Sequence, residues 1–381
     1  MTQNISLSDI TLDENDIQQV LEVLRSKWLS MGPITQNFEK EFSVYNNIKY
    51  SFGVSNGTAA LHIAVKELGI TQGDEVILPS LTFVATANSV LYCGARPVFA
   101  DITSYDDFNI SPEDILEKIS DKTKAIIVVH YAGYPCDMKA ILEIAEDHHL
   151  KIIEDTAHAV GAEYQGKKCG TIGDIGCFSF FANKNLATGE GGMIVTERDD
   201  IAKKINIVRS HGMTTLTWDR HKGHAYSYDV VDLGFNYRIS EIASSLGISQ
   251  LKKLDMNNNI RKGIAEQYQN QLRNISNIRL PFLHHEGLSA YHIFPILLEN
   301  FPREEFMDRL KAKGIQTSIH YKPIHLFSYY KRLVNSGLIK LPKTEYVGDH
   351  EVTIPLHPLL SEEKILYVTN TIKDSISNSK Q

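Results

Sequence analysis

Several features that assign proteins to special classes are absent from this sequence of 381 residues. It has only four cysteines, without CxxC pairs or the Cys/His spacing of a zinc site: Cys93, Cys136, Cys169 and Cys177. We therefore expect neither a disulfide framework nor a metal site, and we interpret the cysteines as small buried hydrophobic residues. Internal repeats and low-complexity segments are also lacking.

Charge and hydropathy exclude further classes of protein. The formal net charge is -7, and the sequence has no block of Lys and Arg residues, which argues against a nucleic-acid-binding or membrane-surface protein. No uninterrupted apolar run has membrane-spanning length, and the N-terminus lacks the basic and apolar segments of a secretory signal. We expect a cytoplasmic protein without a nucleic-acid or membrane partner. The overall charge does not argue against a local pocket for a small anionic metabolite.

Helical periodicity alternates with short β-rich runs between about residues 55 and 200, as is typical of a largely parallel sheet covered by helices. The predicted buried strands span residues 74–80, 96–102, 124–131, 151–155, 177–181 and 191–197. Before them, an amphipathic helix is predicted around Ile17, Val20, Leu21 and Leu24.

Helices and strands are mixed in the remainder of the chain. We therefore predict an α/β protein with two domains. Residues 1–255 would form an N-terminal segment and a large, mostly parallel sheet domain, and residues 256–381 a smaller C-terminal α/β domain.

Polar and aromatic residues follow several of the predicted strands. Asp155 ends one strand and His158 comes shortly after it, while Ser179 and Lys184 belong to the end of another. Phe83 lies just past a third strand. Ligands on such sheets bind beyond the carboxyl ends of the strands, so we expect these side chains to lie near one site.

A possible phosphate site lies in the run SNGTAALHIA at residues 55–64. Gly57 and Thr58 would stand at a helix N-terminus, where free N–H groups and the helix dipole favour an anion. Pyridoxal 5'-phosphate (PLP) uses such a phosphate anchor, a lysine for a Schiff base, a carboxylate for its ring nitrogen and an aromatic face. The sequence offers all four.

Taken singly, each candidate has a plainer interpretation. Lys184 is compatible with a solvated turn lysine, Asp155 with a helix cap, and His158 with a hydrogen-bonded core histidine. In the segment HYKPIH, Pro323 breaks the helical spacing that a histidine metal site would use, so a substrate-facing or interface loop is favoured. The candidates gain weight only as a set.

The run from residue 154 to residue 196, EDTAHAVGAEYQGKKCGTIGDIGCFSFFANKNLATGEGGMIVT, closely resembles the PLP-dependent nucleotide-sugar aminotransferases of the DegT/StrS family. That family belongs to the fold-type I aspartate aminotransferase superfamily. The similarity extends over most of the chain, through SNGTAALH, PSLTFVATANSVLYCGARPVFADI, LGFNYRISEIASSLGISQL and GIQTSIHYKPIH. The joint order and spacing of these motifs make the resemblance specific.

The resemblance implies a role for each candidate. Lys184 would be the Schiff-base lysine, Asp155 the partner of the pyridine nitrogen, Phe83 the stacking ring and His158 a contact of the cofactor's ring oxygen. The phosphate would lie at Gly57, Thr58 and Ser179. In the implied homodimer with shared active sites, Asn236 would reach the phosphate of the partner's cofactor. Candidate substrate-binding residues are Arg238, His320, Tyr321 and His325.

The resemblance also implies a reaction. An amino group would move from L-glutamate to a nucleotide-linked keto sugar, typically a 4-keto-6-deoxyhexose, and the product would be an amino sugar for polysaccharide, glycan or antibiotic synthesis. PLP would be bound covalently to Lys184, with pyridoxamine phosphate (PMP) as the intermediate. Two alternatives stay open: a PLP- or PMP-dependent sugar dehydratase, against which Lys184 argues, and a non-catalytic regulatory PLP-binding protein.

Overall fold

A seven-stranded sheet lies at the centre of the larger part of the molecule. The structure is a computed structural model that describes residues 4–215, 227–333 and 339–377. The first nine strands are Tyr50–Val54 (β1), Glu75–Pro79 (β2), Arg96–Ala100 (β3), Thr123–Val129 (β4), Lys151–Asp155 (β5), Glu163–Tyr164 (β6), Lys167–Lys168 (β7), Ile175–Ser179 (β8) and Gly192–Thr196 (β9). Across the large sheet they lie in the order β1-β9-β8-β5-β4-β2-β3, while β6 and β7 form a separate hairpin.

Strand direction in the large sheet follows from how the strands are connected. β2, β3, β4, β5 and β8 are mutually parallel, whereas β9 runs antiparallel to both β8 and β1. A parallel return needs a crossover of a dozen or more residues, usually a helix, but residues 180–191 between β8 and β9 form no helix. The chain therefore reverses, with Ser179 opposite Gly192, and Lys184 lies in the turn at the carboxyl end of β8.

Helices cover both faces of the large sheet. Alternate residues of β2 show this, because Val76 and Leu78 belong to one apolar core and Ile77 belongs to another. The helices of this part are Glu14–Ser26 (α1), Pro33–Asn46 (α2), Gly57–Glu67 (α3), Ala85–Tyr92 (α4), Pro112–Lys118 (α5), Met138–Asp147 (α6), Asp199–Val208 (α7) and Glu241–Leu272 (α8).

A second, smaller α/β unit follows α8. Its sheet is antiparallel and has the order β10-β11-β12, formed by Ile278–Arg279 (β10), Phe294–Leu298 (β11) and Glu351–Ile354 (β12). Its helices are Arg303–Ala312 (α9), Ser328–Leu333 (α10), Pro342–His350 (α11) and Glu362–Ser377 (α12). The apolar faces of these strands and of α9 and α12 pack into a core of their own, whereas Tyr330 of α10 packs into a core of the large sheet and Val347 of α11 into a further apolar cluster.

Helix α8 is continuous across the predicted boundary between residues 255 and 256. Leu251 and Leu254 in its first half pack into the core beside the large sheet, whereas Ile264 and Leu272 pack into the core of the smaller unit. Ile5 also joins the smaller unit, where it pairs with Ile315. The division into two domains remains our proposal, with α8 as the helix that both would share.

The mixed, mostly parallel sheet with helices on both faces confirms the predicted α/β class. All six strands predicted between residues 74 and 197 are present, but β1 was not predicted. Within the described ranges, no helix is long and apolar enough to cross a membrane.

Candidate active site

A cavity of about 480 Å³ opens at the carboxyl ends of β5 and β8, beside the first turn of α3. This edge is where open α/β sheets bind ligands. Nine of the residues selected from the sequence line the cavity: Gly57, Thr58, Phe83, Asp155, His158, Ser179, Lys184, His320 and Tyr321. Candidates from five separate segments of the chain therefore meet at one place.

Asp155 supplies a buried carboxylate at the floor of the cavity. It ends β5, and the Thr86 hydroxyl donates a hydrogen bond of 2.8 Å to its Oδ2, while the Ala157 N–H donates to its Oδ1 at 3.2 Å. Burial raises the pKa of this carboxyl, although both hydrogen bonds and the nearby Lys184 oppose the change. A cationic partner in the cavity would therefore be strongly favoured.

Lys184 supplies an amine to the same cavity. Its backbone N–H donates to the carbonyl of Phe181 at 2.9 Å, which closes the turn after β8 and places the side chain over the cavity. Burial lowers the pKa of the amine to about 8, and the negative charge of Asp155 acts in the opposite direction. An appreciable fraction of this amine is therefore uncharged near neutral pH, as a nucleophile or a base requires.

Three imidazoles surround the lysine. The ring centroids of His158 and His292 are 4.4 Å apart, and those of His158 and His320 are 6.4 Å apart. Burial holds the pKa of His158 and of His292 well below the ordinary histidine value, and that of His320 at about 4. The three rings are therefore neutral at physiological pH and do not add to the positive charge of the lysine.

His158 has one nitrogen engaged and one available. Its Nε2 lies 2.9 Å from the Tyr321 hydroxyl, and its Nδ1 is buried with no partner among the described residues. A buried unpaired nitrogen is costly, so it indicates a position where a ligand would complete the hydrogen bonding.

The first turn of α3 and the end of β8 form the anion-binding side of the cavity. Asn56 caps the helix by accepting the N–H of Ala59 at 2.8 Å, while Gly57 and Thr58 line the cavity beside Ser179. A Cβ atom on Gly57 would lie 2.8 Å from Cβ of Ser179, so only glycine fits there. A helix N-terminus and a serine hydroxyl in contact are well suited to a phosphate.

Phe83 lies at the mouth of the cavity. The residue is 57% exposed, and its ring centroid is 6.2 Å from that of Tyr321. A large aromatic ring left this exposed in a cavity is available to cover a planar ligand.

Three other candidates do not line this cavity. Asn236 is exposed, and Arg238 donates to the Ser210 hydroxyl at 3.1 Å. His325 is fully buried, where its Nδ1 is 2.7 Å from the Ser80 hydroxyl and its Nε2 is 3.4 Å from Glu345. Their binding roles remain predictions, and for His325 the contacts favour a structural one.

Sequence patterns alone provide no reason to select His292 or Asn185. His292 Nε2 lies 3.4 Å from Nζ of Lys184, and its Nδ1 lies 2.9 Å from Oδ1 of Asn185. Neither residue ends one of the predicted strands, and Asn185 resembles an ordinary turn residue beside Lys184. Only the fold brings them together. Among the described residues, no group of three or more His, Cys, Asp or Glu side chains could hold a metal ion.

Comparison with known sequences identifies the family. The sequence profile of the DegT/DnrJ/EryC1/StrS aminotransferase family matches residues 10–373, which include every residue that lines the cavity. The chain belongs to this aminotransferase family. The resemblance seen in the motifs is thereby confirmed, and the DegT/DnrJ/EryC1/StrS assignment makes the protein an enzyme that transfers amino groups.

Individual members of the DegT/DnrJ/EryC1/StrS family are similar to this chain in sequence and in structure. GDP-perosamine synthase of Caulobacter vibrioides is 38% identical over 95% of each chain. The aminotransferase TlmJ from Streptoalloteichus hindustanus superimposes with a TM-score of 0.92 at 32% identity, covering 99% of this chain and 100% of TlmJ. The PLP form of Spr1654 from Streptococcus pneumoniae gives a TM-score of 0.91 at 30% identity, covering 99% of both chains.

Proposed function

We propose that this protein is a PLP-dependent aminotransferase that moves an amino group from L-glutamate to a nucleotide-linked keto sugar. The expected acceptor is a 4-keto-6-deoxyhexose, and the product would be an amino sugar. The observation that carries the proposal is the meeting of Lys184 and Asp155 in one cavity beside the N-terminus of α3. The name of the related GDP-perosamine synthase supports a nucleotide-linked sugar as the substrate class.

The residues of the cavity fit PLP. Asp155 is a buried carboxylate suited to a protonated ring nitrogen, and Lys184 is an amine suited to a Schiff base. Gly57, Thr58 and Ser179 would hold the phosphate. Phe83 would cover the ring, and the PLP form of Spr1654 supports the choice of this cofactor. When bound, PLP supplies an electron sink that stabilises negative charge at the α-carbon of the amino donor.

Lys184 would act as the base once its amine is free. With a pKa of about 8, its Nζ can take a proton from the donor's α-carbon and release it again near neutral pH. Asp155 would remain ionised, because a cationic ring nitrogen offsets the burial that raises its pKa.

His158 would orient the ring of the cofactor. Burial raises the pKa of Tyr321, so its hydroxyl stays protonated and can donate to Nε2 of the neutral imidazole. The imidazole proton is then on Nδ1, which has no partner among the described residues and would donate to the cofactor's ring oxygen. This agrees with the role that the family resemblance implies for His158.

We also propose a homodimer in which each subunit completes the other's active site. Asn236 is exposed and does not line the cavity of its own chain, although the family resemblance gives it a phosphate contact. The nearby Leu233 is 76% exposed, and Val230 and Val231 are also exposed. On helix α1, Ile17 and other large apolar side chains are half exposed. Apolar surface of this kind is typical of an interface between subunits.

The reaction can be tested with the full-length protein and added PLP. L-Glutamate should bleach the visible absorption band of the lysine-bound cofactor and yield 2-oxoglutarate. A panel of nucleotide-linked 3- and 4-keto sugars should then be tested for restoration of the band, with mass detection of the aminated sugar. A product that has lost water without gaining nitrogen would favour the dehydratase alternative, and unchanged spectra throughout would contradict the proposal.

The lysine variants provide the control for this test. Lys184→Ala should show neither the band nor 2-oxoglutarate, because it has no amine to bind the cofactor or move the proton. Lys167→Ala, which changes an exposed lysine on β7, should behave like the unaltered protein. Full activity of Lys184→Ala would refute the assigned site.

A further inference from the structure

A chain of side-chain amides leads from helix α8 to the lysine of the active site. Nδ2 of Asn258 donates to the carbonyl of Val160 at 3.0 Å, which fixes the orientation of this amide. Its Oδ1 accepts a hydrogen bond of 2.8 Å from Nδ2 of Asn185. The amide of Asn258 thus donates one hydrogen bond and accepts another.

Asn185 is fixed in the same way. Its Nδ2 also donates to the carbonyl of Ala290 at 2.7 Å, so both of its amide hydrogens are used. Its Oδ1 therefore faces Nδ1 of His292, 2.9 Å away, and an amide oxygen can only accept. The side chain of Asn185 is buried, so water does not compete for these groups.

This arrangement determines which nitrogen of His292 carries the proton. The ring is neutral, because burial and the positive charges of Lys184 and Arg261 hold its pKa well below the ordinary value, so it has a single N–H. The titratable groups that act on the ring are Lys184, His158, Arg261 and His320. Because Oδ1 of Asn185 requires a donor, the proton is on Nδ1, and Nε2 has a free lone pair 3.4 Å from Nζ of Lys184.

We propose that Asn258 and Asn185 act as positioning residues that hold His292 in the Nδ1–H tautomer, so that Nε2 accepts a hydrogen bond from the amine of Lys184. The proposal rests on the assignment of Lys184 as the reactive amine, and it gives His292 a direct part in the site. The accepted hydrogen bond keeps one N–H of the amine turned toward His292. The lone pair of the free amine can then point into the cavity, where it would accept a proton or attack an aldehyde carbon.

The tautomer can be measured directly in the unaltered, full-length protein. In protein labelled with 15N in histidine, the ring signals of His292, assigned by their loss in His292→Phe, should show a protonated Nδ1 and an unprotonated Nε2. In Asn185→Leu, which removes the acceptor, the proton should be redistributed toward Nε2. A wild-type His292 ring with its proton on Nε2 would overturn the proposal, and His292→Gln provides the assignment if His292→Phe does not fold.

The effect on the lysine is tested in protein freed of PLP, where Lys184 has a free amine, by competitive labelling of amines over a range of pH with mass spectrometry of the peptide that contains Lys184. A neutral acceptor stabilises the ammonium form more than the free amine. Its removal in His292→Phe should therefore lower the pKa of Lys184 by about one unit. Asn185→Leu should lower it by less, and His292→Gln, which keeps an acceptor oxygen, should largely restore it.

Asn259→Leu is the matched control, since Asn259 is an exposed asparagine next to Asn258 on α8. It should leave the pKa of Lys184 unchanged. Equal pKa values for Lys184 in the unaltered protein and in folded His292→Phe and Asn185→Leu would contradict the proposal. Labelling of a free amine requires no sugar substrate, so this result is independent of whether the proposed reaction occurs.

Discussion

Single residues in the active site are tuned chiefly by burial. Burial lowers the pKa of Lys184 to about 8 and raises that of Asp155, so that each group is shifted toward its neutral form. A bound cation beside Asp155 would reverse one of these shifts. The cavity is therefore electrostatically incomplete without a ligand, which agrees with a cofactor that has a protonated ring nitrogen.

Glu351 is a second buried carboxyl near the site. It accepts the N–H of His320 at 2.7 Å, and the Thr353 hydroxyl donates to it at 2.5 Å. The same hydroxyl lies 2.8 Å from Nδ1 of His320. Burial raises the pKa of Glu351 from 4.5 to about 8, because these neutral partners compensate only part of the lost hydration.

We predict that Glu351→Gln makes the free energy of unfolding less dependent on pH. Between pH 4.5 and about 8 the folded wild-type protein keeps a proton that the unfolded chain releases, so its stability falls as pH rises through this interval. Glutamine does not titrate, so the variant should not lose this stability. Relative to that of the wild type, its free energy of unfolding should rise by about a few kcal/mol between the two ends of the interval. Urea unfolding at a series of pH values measures this.

Glu304→Gln, at an exposed position of α9, is the control for Glu351 and should follow the wild-type pH dependence. Parallel curves for the wild type and Glu351→Gln would show that the buried carboxyl is already ionised in the folded protein.

Sequence patterns select residues that line the cavity where suitable side chains coincide with strand ends. Asp155 and Ser179 end apolar strands and Lys184 lies in the turn after the second of them, so the rule that ligands bind at the carboxyl ends of strands selects them. His292 has no such signal, because it approaches Lys184 from the smaller unit, more than a hundred residues away in sequence. Contacts between residues so far apart in sequence depend on how the two units pack. Local sequence patterns hold no information about that packing.

At the scale of elements, the site depends on the contact between two segments. These are the first turn of α3, which follows β1, and the turn between β8 and β9. Gly57 and Ser179 are the point of contact between them. The sequence predicted strands β8 and β9 but not the antiparallel direction of β9, nor its pairing with β1. Strand pairing over more than a hundred residues is set by the packed sheet rather than by local periodicity.

We predict that Gly57→Ala weakens PLP binding at least about tenfold, because the added methyl group would meet Cβ of Ser179 at 2.8 Å and must push the two elements apart. Titration of the full-length protein with PLP, followed by absorbance, measures the affinity. Gly263→Ala is the matched control, since a Cβ there meets nothing within 4 Å on helix α8. It should bind PLP normally and be slightly more stable, by about 0.5–1 kcal/mol. Equal affinities in both variants would exclude this cradle as the phosphate site.

At the scale of the whole molecule, the cavity is built mainly from the large sheet and closed by residues of the smaller unit. His320 and Tyr321 line it from the segment between α9 and β12, and helix α8 joins the cores of both units. Asn236 and the exposed residues Val230, Val231 and Leu233 do not line the cavity, and their proposed place is against a second subunit. A complete site would therefore require two chains.

We predict that two inactive variants restore each other's activity when their subunits are mixed. Lys184→Ala lacks the reactive amine, and Asn236→Asp would place a negative charge at the phosphate of the partner's cofactor. A hybrid dimer would contain one intact site, so random exchange should restore about a quarter of the wild-type activity. Aminotransferase assays before and after subunit exchange test this. Activity that never exceeds the sum of the separate variants would contradict a shared site.

The central claim is that the amine of Lys184 binds PLP in the cavity that contains Asp155. Reduction of the PLP-loaded, full-length protein with borohydride, followed by peptide mass spectrometry, tests it most directly, because reduction makes a lysine–PLP linkage permanent. We predict that one peptide, the one containing Lys184, gains the mass of the reduced cofactor, and that L-glutamate added before reduction abolishes the label. Labelling of another lysine in place of Lys184, or no labelling at saturating PLP, would contradict the account.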